Sequence, residues 1–488
     1  MGASLDEMGP SAARSSVFYL AGNVLSRIID LWAVLLIARH FGESVMGRFS
    51  FAIAYVGYFS ILIDLGFNIT FVREMVRDKA RQATLLTGML VYKCVMIAVG
   101  MILAGFLIFL GEYPLDTMRL VWVMTLGLLI SPKLPSLRLV YEQVFQSHMK
   151  MEIPGLLKIL DGVFLLSLVY GIVINDKPIL WVMIAYIVCN IPGLIVIIMA
   201  SRKLVKPSGI FESGLMLDLL RQALPVAVLG LFAAIYSRID VLLLSRWSDD
   251  AAIGYYASAY RLSEAFRILP AAVLASLYPM LVAHAGQIKE SFIPILSRGL
   301  KPLLVTLIPV CLVTTFLSES IIELFYSSQY LPAAASLITL VWAELFVMLA
   351  TVLSNALIAV GRQKTVMSIN GLMLLINVVL NVILIPIWSF QGAAVTRLLT
   401  EGTGVVGFTI VFRKMAAWSV WGSCMPLLPA SCALLIWLYL FSAQPFSMVV
   451  GGSCIVYTAV LFATRAVTPN ELFELYRAVL HNNARGSS

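Results

Sequence analysis

The chain has 488 residues, of which 60% are hydrophobic and only 12% charged, and its mean hydropathy is +0.95. A soluble domain carries about twice that charged fraction, so the solvent of this chain is lipid. Backbone polar groups in lipid must be satisfied within helices or a closed barrel, and the long, non-alternating apolar runs select helices. The sequence therefore predicts an all-α polytopic membrane protein.

A polar segment up to Ser15 comes first. The apolar run 16–39 is too long for a signal-peptide core and lacks a small-residue cleavage site, so it is expected to remain as the first span. Crossing the hydrocarbon core takes about 20 mostly apolar residues. Further runs of about that length follow at 48–72, 83–110, 118–146, 153–174, 179–200, 219–246, 254–282, 302–325, 332–360, 365–388, 391–412, 423–441 and 446–465. Pro132, Pro135, Pro192, Pro225, Pro270 and Pro309 fall inside these runs, where each removes a helix hydrogen bond and can bend the segment. After the last span, Thr468, Pro469 and Glu471 form an N-terminal helix signature. They predict a short amphipathic helix over 468–481 on the cytoplasmic membrane surface.

Alternate connections differ in basic residues. One set holds Arg73, Arg77, Lys79 and Arg81, Arg202, Lys203 and Lys206, and Arg413 and Lys414, among others; the opposite set holds Arg48, Arg119 and Lys177. The rich set belongs to the cytoplasm, which places both termini there. The formal charge of +8 then reports membrane orientation, and nucleic acid is not an expected partner. Cys94, Cys189, Cys311, Cys424, Cys432 and Cys454 fall inside spans without metal-type spacing and read as small packing residues.

An internal repeat organises the chain. Ser26-Arg27-Ile28-Ile29-Asp30, Arg39 and Gly47 to Ala52 match Ser237-Arg238-Ile239-Asp240, Arg246 and Gly254 to Ala259, with eight residues from Arg to Gly and five from Gly to Ala in both. Six spans separate the copies, so both enter the membrane from one side. The expectation is two six-helix bundles as a parallel repeat, with a site at their interface, plus two further C-terminal helices. In residues, this is a first bundle over 16–200, a cytoplasmic linker over 201–218, a second bundle over 219–412 and the extra pair over 423–465.

Ionisable groups within spans are costly and mark function by default. Arg27 and Asp30, and Lys158 and Asp161, are three apart; Arg138 and Glu142, and Arg397 and Glu401, are four apart, so each pair shares a helix face. Arg261, Glu264 and Arg267 form a longer stripe, Arg238 and Asp240 point to different faces, and Lys93, Asp64 and Glu344 have no charged neighbour in sequence. The i, i+3 and i, i+4 pairs are consistent with internal neutralisation. Arg27, Lys93, Arg238 and Arg261 are the candidates for holding a pyrophosphate-bearing substrate, because guanidinium groups offer paired donors to phosphate oxygens. Asp30, Asp64 and Glu344 are the candidates for proton or cation coupling. No phosphate loop and no H-E-x-x-H motif occurs, no histidine is placed beside a nucleophile, and the outer connections are too short for a catalytic loop. Neither an enzyme nor a cofactor is expected.

Four stretches carry a family resemblance: Gly42 to Ala52 with Asp64-Leu65-Gly66 and Arg73-Glu74; Ser237-Arg238-Ile239-Asp240 through Gly254-Tyr255-Tyr256; Tyr260-Arg261-Leu262 through Leu269-Pro270 to Tyr278-Pro279; and Asn355 to Arg362 through Asn377, Asn381 and Leu384-Ile385-Pro386 to Gly392-Ala393-Ala394. In these the chain resembles the oligosaccharide-lipid flippases of the bacterial polysaccharide transporter family, within the superfamily of multidrug-toxin extruders and lipid II flippases. The resemblance implies a V-shaped pair of bundles working by alternating access in the bacterial inner membrane. The implied substrate is an undecaprenyl-pyrophosphate-linked oligosaccharide for surface polysaccharides such as O-antigen or exopolysaccharide, with a polysaccharide polymerase and a chain-length regulator as partners. The family's cavity-lining basic residues carry over to Arg27 and Arg238. One departure is Trp388-Ser389-Phe390-Gln391, an outer turn where a tyrosine or phenylalanine with glycine is commoner in the family. The alternatives are an ion-coupled multidrug or small-molecule exporter of the same fold, a lipid II flippase and, from another class, a membrane-embedded polymerase or glycosyltransferase.

Overall fold

The computed structural model describes residues 5–64 and 66–466, so the amphipathic helix expected over 468–481 lies outside the described residues. No strand occurs among the described residues. Among the described residues nine helices are long and apolar enough to cross a membrane, and each of the fourteen expected spans has a helical counterpart. The chain is a multi-pass membrane protein.

The first unit, which runs to Gly254, begins with α1 (Leu5–Asp64), a 60-residue helix that holds two spans. They meet at Gly42, whose φ of 78° and ψ of 177° suit only glycine. A second break ends α1 at Asp64; Gly66 is left-handed, and α2 (Phe67–Arg77) starts after it. The expected unbroken span 48–72 is thus two helices, because the left-handed Gly66 cannot continue a right-handed hydrogen-bond ladder. α3 (Gln82–Leu110) is continuous. The fourth span is divided into α4 (Leu115–Thr125), α5 (Gly127–Ile130) and α6 (Leu137–Ser147), with residues 131–136 non-helical around Pro132 and Pro135. α7 (Glu152–Ile174) is intact, and the sixth span divides into α8 (Ile179–Val188) and α9 (Ile191–Ser201), one residue before Pro192. α10 (Ser213–Trp247) continues through position 225 and packs on α1, α2 and α3, which places it with this unit.

The second unit, from Tyr255, takes in most of α11 (Asp250–Ser263) and continues through a tighter turn at Glu264–Arg267 into α12 (Ile268–Ala283). α13 (Ile293–Phe325) and α14 (Ala333–Ala359) follow. α15 (Gln363–Ala416) is two spans joined at Ser389. α16 (Val420–Cys424), α17 (Leu428–Phe441) and α18 (Phe446–Ala463) complete the chain, with α17 and α18 packed on α13.

The repeat copies meet within the first unit. A Cβ on Gly47 would fall 1.7 Å from the Asp250 carbonyl oxygen, and one on Gly254 would fall 2.1 Å from that of Glu43. Each glycine thus contacts the carbonyl four residues before its counterpart, the reciprocal pattern of a two-fold contact. Arg48 flanks the crossing, 3.5 Å from the Asp250 carboxylate and 3.6 Å from Asp116. Burial pushes the Asp250 carboxyl up, against the pull of the Arg48 guanidinium.

Candidate functional site

α1 and α7 approach closely because glycines face each other. A Cβ on Gly22 would lie 2.6 Å from the Gly155 carbonyl oxygen, which excludes a side chain there, and one on Gly155 would crowd the Tyr19 Cα at 3.1 Å. This contact seats the polar face of α1, made by Tyr19, Asn23, Arg27 and Asp30 at spacings of three and four, against the basic residues of neighbouring helices.

The ion partners on this face differ from the sequence spacing. Lys158 of α7 donates to the Tyr19 hydroxyl at 2.7 Å and to Asn23 Oδ1 at 3.0 Å, with its ammonium 4.4 Å from the Tyr19 ring centre. Asp161 instead pairs with Arg138 at 2.5 Å. Asp30 accepts from Lys133 at 2.6 Å, and Lys133 comes from the proline-flanked break in the fourth span. Arg138 also holds Glu142 at 3.3 Å, as its i, i+4 spacing predicts, and all three members of this triad are buried. Both expected i, i+3 pairs are therefore replaced: a cation from the fourth span takes each acid, and Arg27 and Lys158 keep no carboxylate within salt-bridge reach among the described residues.

Arg27 is exposed, and so is Arg238 of the second Ser-Arg-Ile segment, which stands one helical turn nearer its glycine, 16 residues before Gly254 against 20 from Arg27 to Gly47. Arg238 lies alongside Gly57 of α1, where a Cβ would be 3.8 Å from its Nε. Asp240 is buried and accepts from the Val241 amide at 2.8 Å. Lys93 is fully buried and held by Asp64 at 3.0 Å, so its ammonium is sealed into helix packing and closed to a ligand in this conformation. Arg261 is half-buried in the last turn of α11, and Glu264 pairs with Arg267 in preference to it.

The second unit holds a separate cluster. Arg267 reaches Glu344 through Nε at 2.9 Å and a terminal nitrogen at 2.5 Å, and also contacts Glu264. Arg397 stands 3.7 Å from the same Glu344. Both guanidinium groups lie over the Tyr260 ring, at 5.3 and 4.8 Å from its centre. Asp30, Asp64 and Glu344 thus each hold a cation supplied by the protein, and a transported ion would have to displace a resident one. The described residues contain no group of His, Cys, Asp and Glu fit to hold a metal.

Sequence reasoning passed over Lys133. The available signal was a lysine between two prolines inside an apolar run, where a broken helix can turn a charge toward the bundle interior.

Comparison with known proteins agrees with this architecture. The family model for polysaccharide biosynthesis proteins matches residues 12–284, and the MatE family model matches residues 225–383. The probable flippase AglR of Haloferax volcanii is 28% identical over 174 residues, 35% of this chain and 37% of that protein. The probable low-salt glycan biosynthesis flippase Agl15 of Haloferax volcanii is 22% identical over 172 residues, 35% of this chain and 36% of that protein. The aligned stretch thus covers little more than a third of either relative. Among solved structures, the lipid II flippase MurJ in an inward closed conformation superposes with a TM-score of 0.74 at 16% identity, covering 94% of this chain and 100% of that one. A multidrug resistance MATE family transporter of the MOP superfamily, inward-facing, gives 0.62 at 13% identity, covering 80% of this chain and 94% of that one. These likenesses establish the fold, and with more than half of its length matched by the first family model, the chain belongs to the polysaccharide biosynthesis protein family.

Proposed function

We propose that this protein is a flippase that carries a lipid-linked oligosaccharide across the membrane for surface glycan assembly. The observation that carries this reading is the pair Arg27 and Arg238, which lie in the Ser-Arg-Ile segments of the two repeat copies and are both exposed, with no carboxylate in salt-bridge reach among the described residues. An unneutralised guanidinium within a span costs roughly 2.5 to 3.5 kcal/mol on insertion scales, and an anionic head group offsets that cost. Phosphate oxygens are suited to the guanidinium fork. Both relatives are described as probable flippases, one of them of glycan biosynthesis, which supports the substrate class.

In this reading the carrier is undecaprenyl pyrophosphate in the bacterial inner membrane, and both termini are cytoplasmic. The prenyl tail stays in lipid while the head group passes through a polar path, with access alternating between the two faces. No covalent bond changes, so the protein acts as a transporter. A polysaccharide polymerase and a chain-length regulator would consume the product on the far side.

The test is the lipid-linked oligosaccharide pool, and its sidedness, in cells lacking the chain. The expected result is accumulation on the cytoplasmic leaflet with loss of surface polysaccharide, restored by the wild-type gene and not by Arg27→Gln or Arg238→Gln. An unchanged pool with normal surface polysaccharide and a gain in drug sensitivity would replace the proposal with the small-molecule exporter.

A further inference from the structure

Lys158 has a place in the site that its sequence neighbourhood conceals. Spacing assigns it to Asp161, three residues on, as a self-neutralised pair. In the structure Asp161 is occupied by Arg138 at 2.5 Å, and the next acid along α1, Asp30, is occupied by Lys133 at 2.6 Å. The ammonium of Lys158 is left with two neutral acceptors, the Tyr19 hydroxyl and Asn23 Oδ1, which use two of its three donors. Glu142 lies within the field of both Lys158 and Arg138, and its carboxylate contact is with Arg138 at 3.3 Å. The local set is then Arg27, Lys133, Arg138 and Lys158 against Asp30, Glu142 and Asp161, an excess of one positive charge.

Position along α1 adds to the charge count. Asn23, which orients Lys158, and Arg27 are four residues apart and so are neighbours on one helix face, with Cβ atoms about 5–6 Å apart. Two cations without a bonded carboxylate, anchored about one turn apart on the same face, can each take oxygens of one pyrophosphate. The hydroxyl and amide beside Lys158 fix the direction of its ammonium without cancelling its charge, the condition for a preorganised anion site.

We propose that Lys158, oriented by Tyr19 and Asn23, is a second anion-anchoring residue of the N-terminal unit and acts with Arg27 on the pyrophosphate end of the transported lipid. The proposal rests on the flippase reading above and adds to it a residue that spacing had placed in an internal ion pair.

Binding to the full-length protein in detergent tests this, with farnesyl pyrophosphate as the probe and farnesol, its uncharged counterpart, as the reference. Removing one charge-assisted contact to a phosphate should weaken farnesyl pyrophosphate binding about ten-fold or more in Lys158→Gln, leave farnesol binding as in wild type, and largely recover in Lys158→Arg. Asn23→Asp is the decisive variant. It keeps Lys158 but places a carboxylate on it, so pyrophosphate binding should fall while the melting temperature holds or rises. A Lys158 that only packs helices would give the melting-temperature gain with no loss of binding, and that outcome overturns the proposal. Wild-type discrimination between the two probes that persists in Lys158→Gln would overturn it as well and leave the flippase reading intact. Wild-type protein that binds farnesyl pyrophosphate no better than farnesol would remove the head-group basis of both.

Discussion

The two units place similar charges in lipid and use them in opposite ways. In the second unit Arg267 and Arg397 converge on Glu344, with Glu264 beside Arg267 and the Tyr260 ring beneath both cations. In the first unit Arg138 is likewise enclosed by Glu142 and Asp161, but Arg27 and Lys158 stand beyond that triad on neutral or open ground. A cation held on several sides by fixed partners stabilises packing, whereas one held only by neutral groups, or by none, remains available to an incoming anion. Composition alone does not separate these cases, since both units draw on Arg, Lys, Asp and Glu.

The largest expected effect breaks the enclosed cluster. Glu344→Ala removes the carboxylate shared by Arg267 and Arg397 and leaves the half-buried Arg267 and buried Arg397 guanidinium groups short of one acid, and breaking a buried pair of this kind costs about 3–5 kcal/mol. Thermal unfolding of the purified protein should show a large drop in melting temperature. Arg138→Met should act in the same direction by stranding Glu142 and Asp161. Arg27→Gln and Lys158→Gln, which remove cations with no carboxylate partner, should change the melting temperature little while impairing transport. If all four variants destabilised equally, the distinction between enclosed and available cations would fail.

A smaller effect probes the tyrosine beneath the second cluster. Tyr260→Leu keeps the apolar bulk and deletes the ring face under Arg267 and Arg397, so a loss of about 1–2 kcal/mol is expected for desolvated cation–π contacts. Combining Tyr260→Leu with Glu344→Ala should give less than the sum of the two losses, because both act on the same guanidinium groups. Strict additivity would show that ring and carboxylate do not act on one site.

The comparison also explains what could be read from the sequence. The fourteen spans were legible because length and apolarity are what lipid requires of a crossing helix, and the break around Pro132 and Pro135 was legible in the prolines. The ion partners were not. Asp30 and Lys133 are 103 positions apart, and Arg267 and Glu344 are 77 apart; nothing local to either member names the other. Within a helix, i, i+3 spacing shows only that two groups can meet. Whether they do depends on competitors from other helices, as when Arg138 takes the acid three residues from Lys158. The Glu142 partner of Arg138 was legible because the triad has room for both acids.

The smallest expected effect concerns how each unit turns between consecutive spans. In the first unit the join in α1 is Gly42, at φ 78° and ψ 177°, a conformation that glycine adopts without a Cβ penalty. In the second the join in α15 is Ser389, at φ 50° and ψ −132°. That is close to the first central position of a type II′ turn, which glycine dominates, and a side chain there carries strain of order 1 kcal/mol. The resemblance pointed to this same tetrapeptide as a departure from a pattern of tyrosine or phenylalanine with glycine. Ser389→Gly should therefore relieve strain in the folded state, while the added flexibility of the unfolded chain offsets part of the gain. A net rise in stability of about 0.5 kcal/mol is expected, read as a small increase in melting temperature. The reverse change in the first unit, Gly42→Ser, should lower it by more, because its ψ of 177° lies in a region that only glycine occupies readily. If Ser389→Gly instead lowered the melting temperature, the serine side chain would be contributing a contact worth more than the strain it imposes, and the two joins would differ in chemistry as well as in residue type.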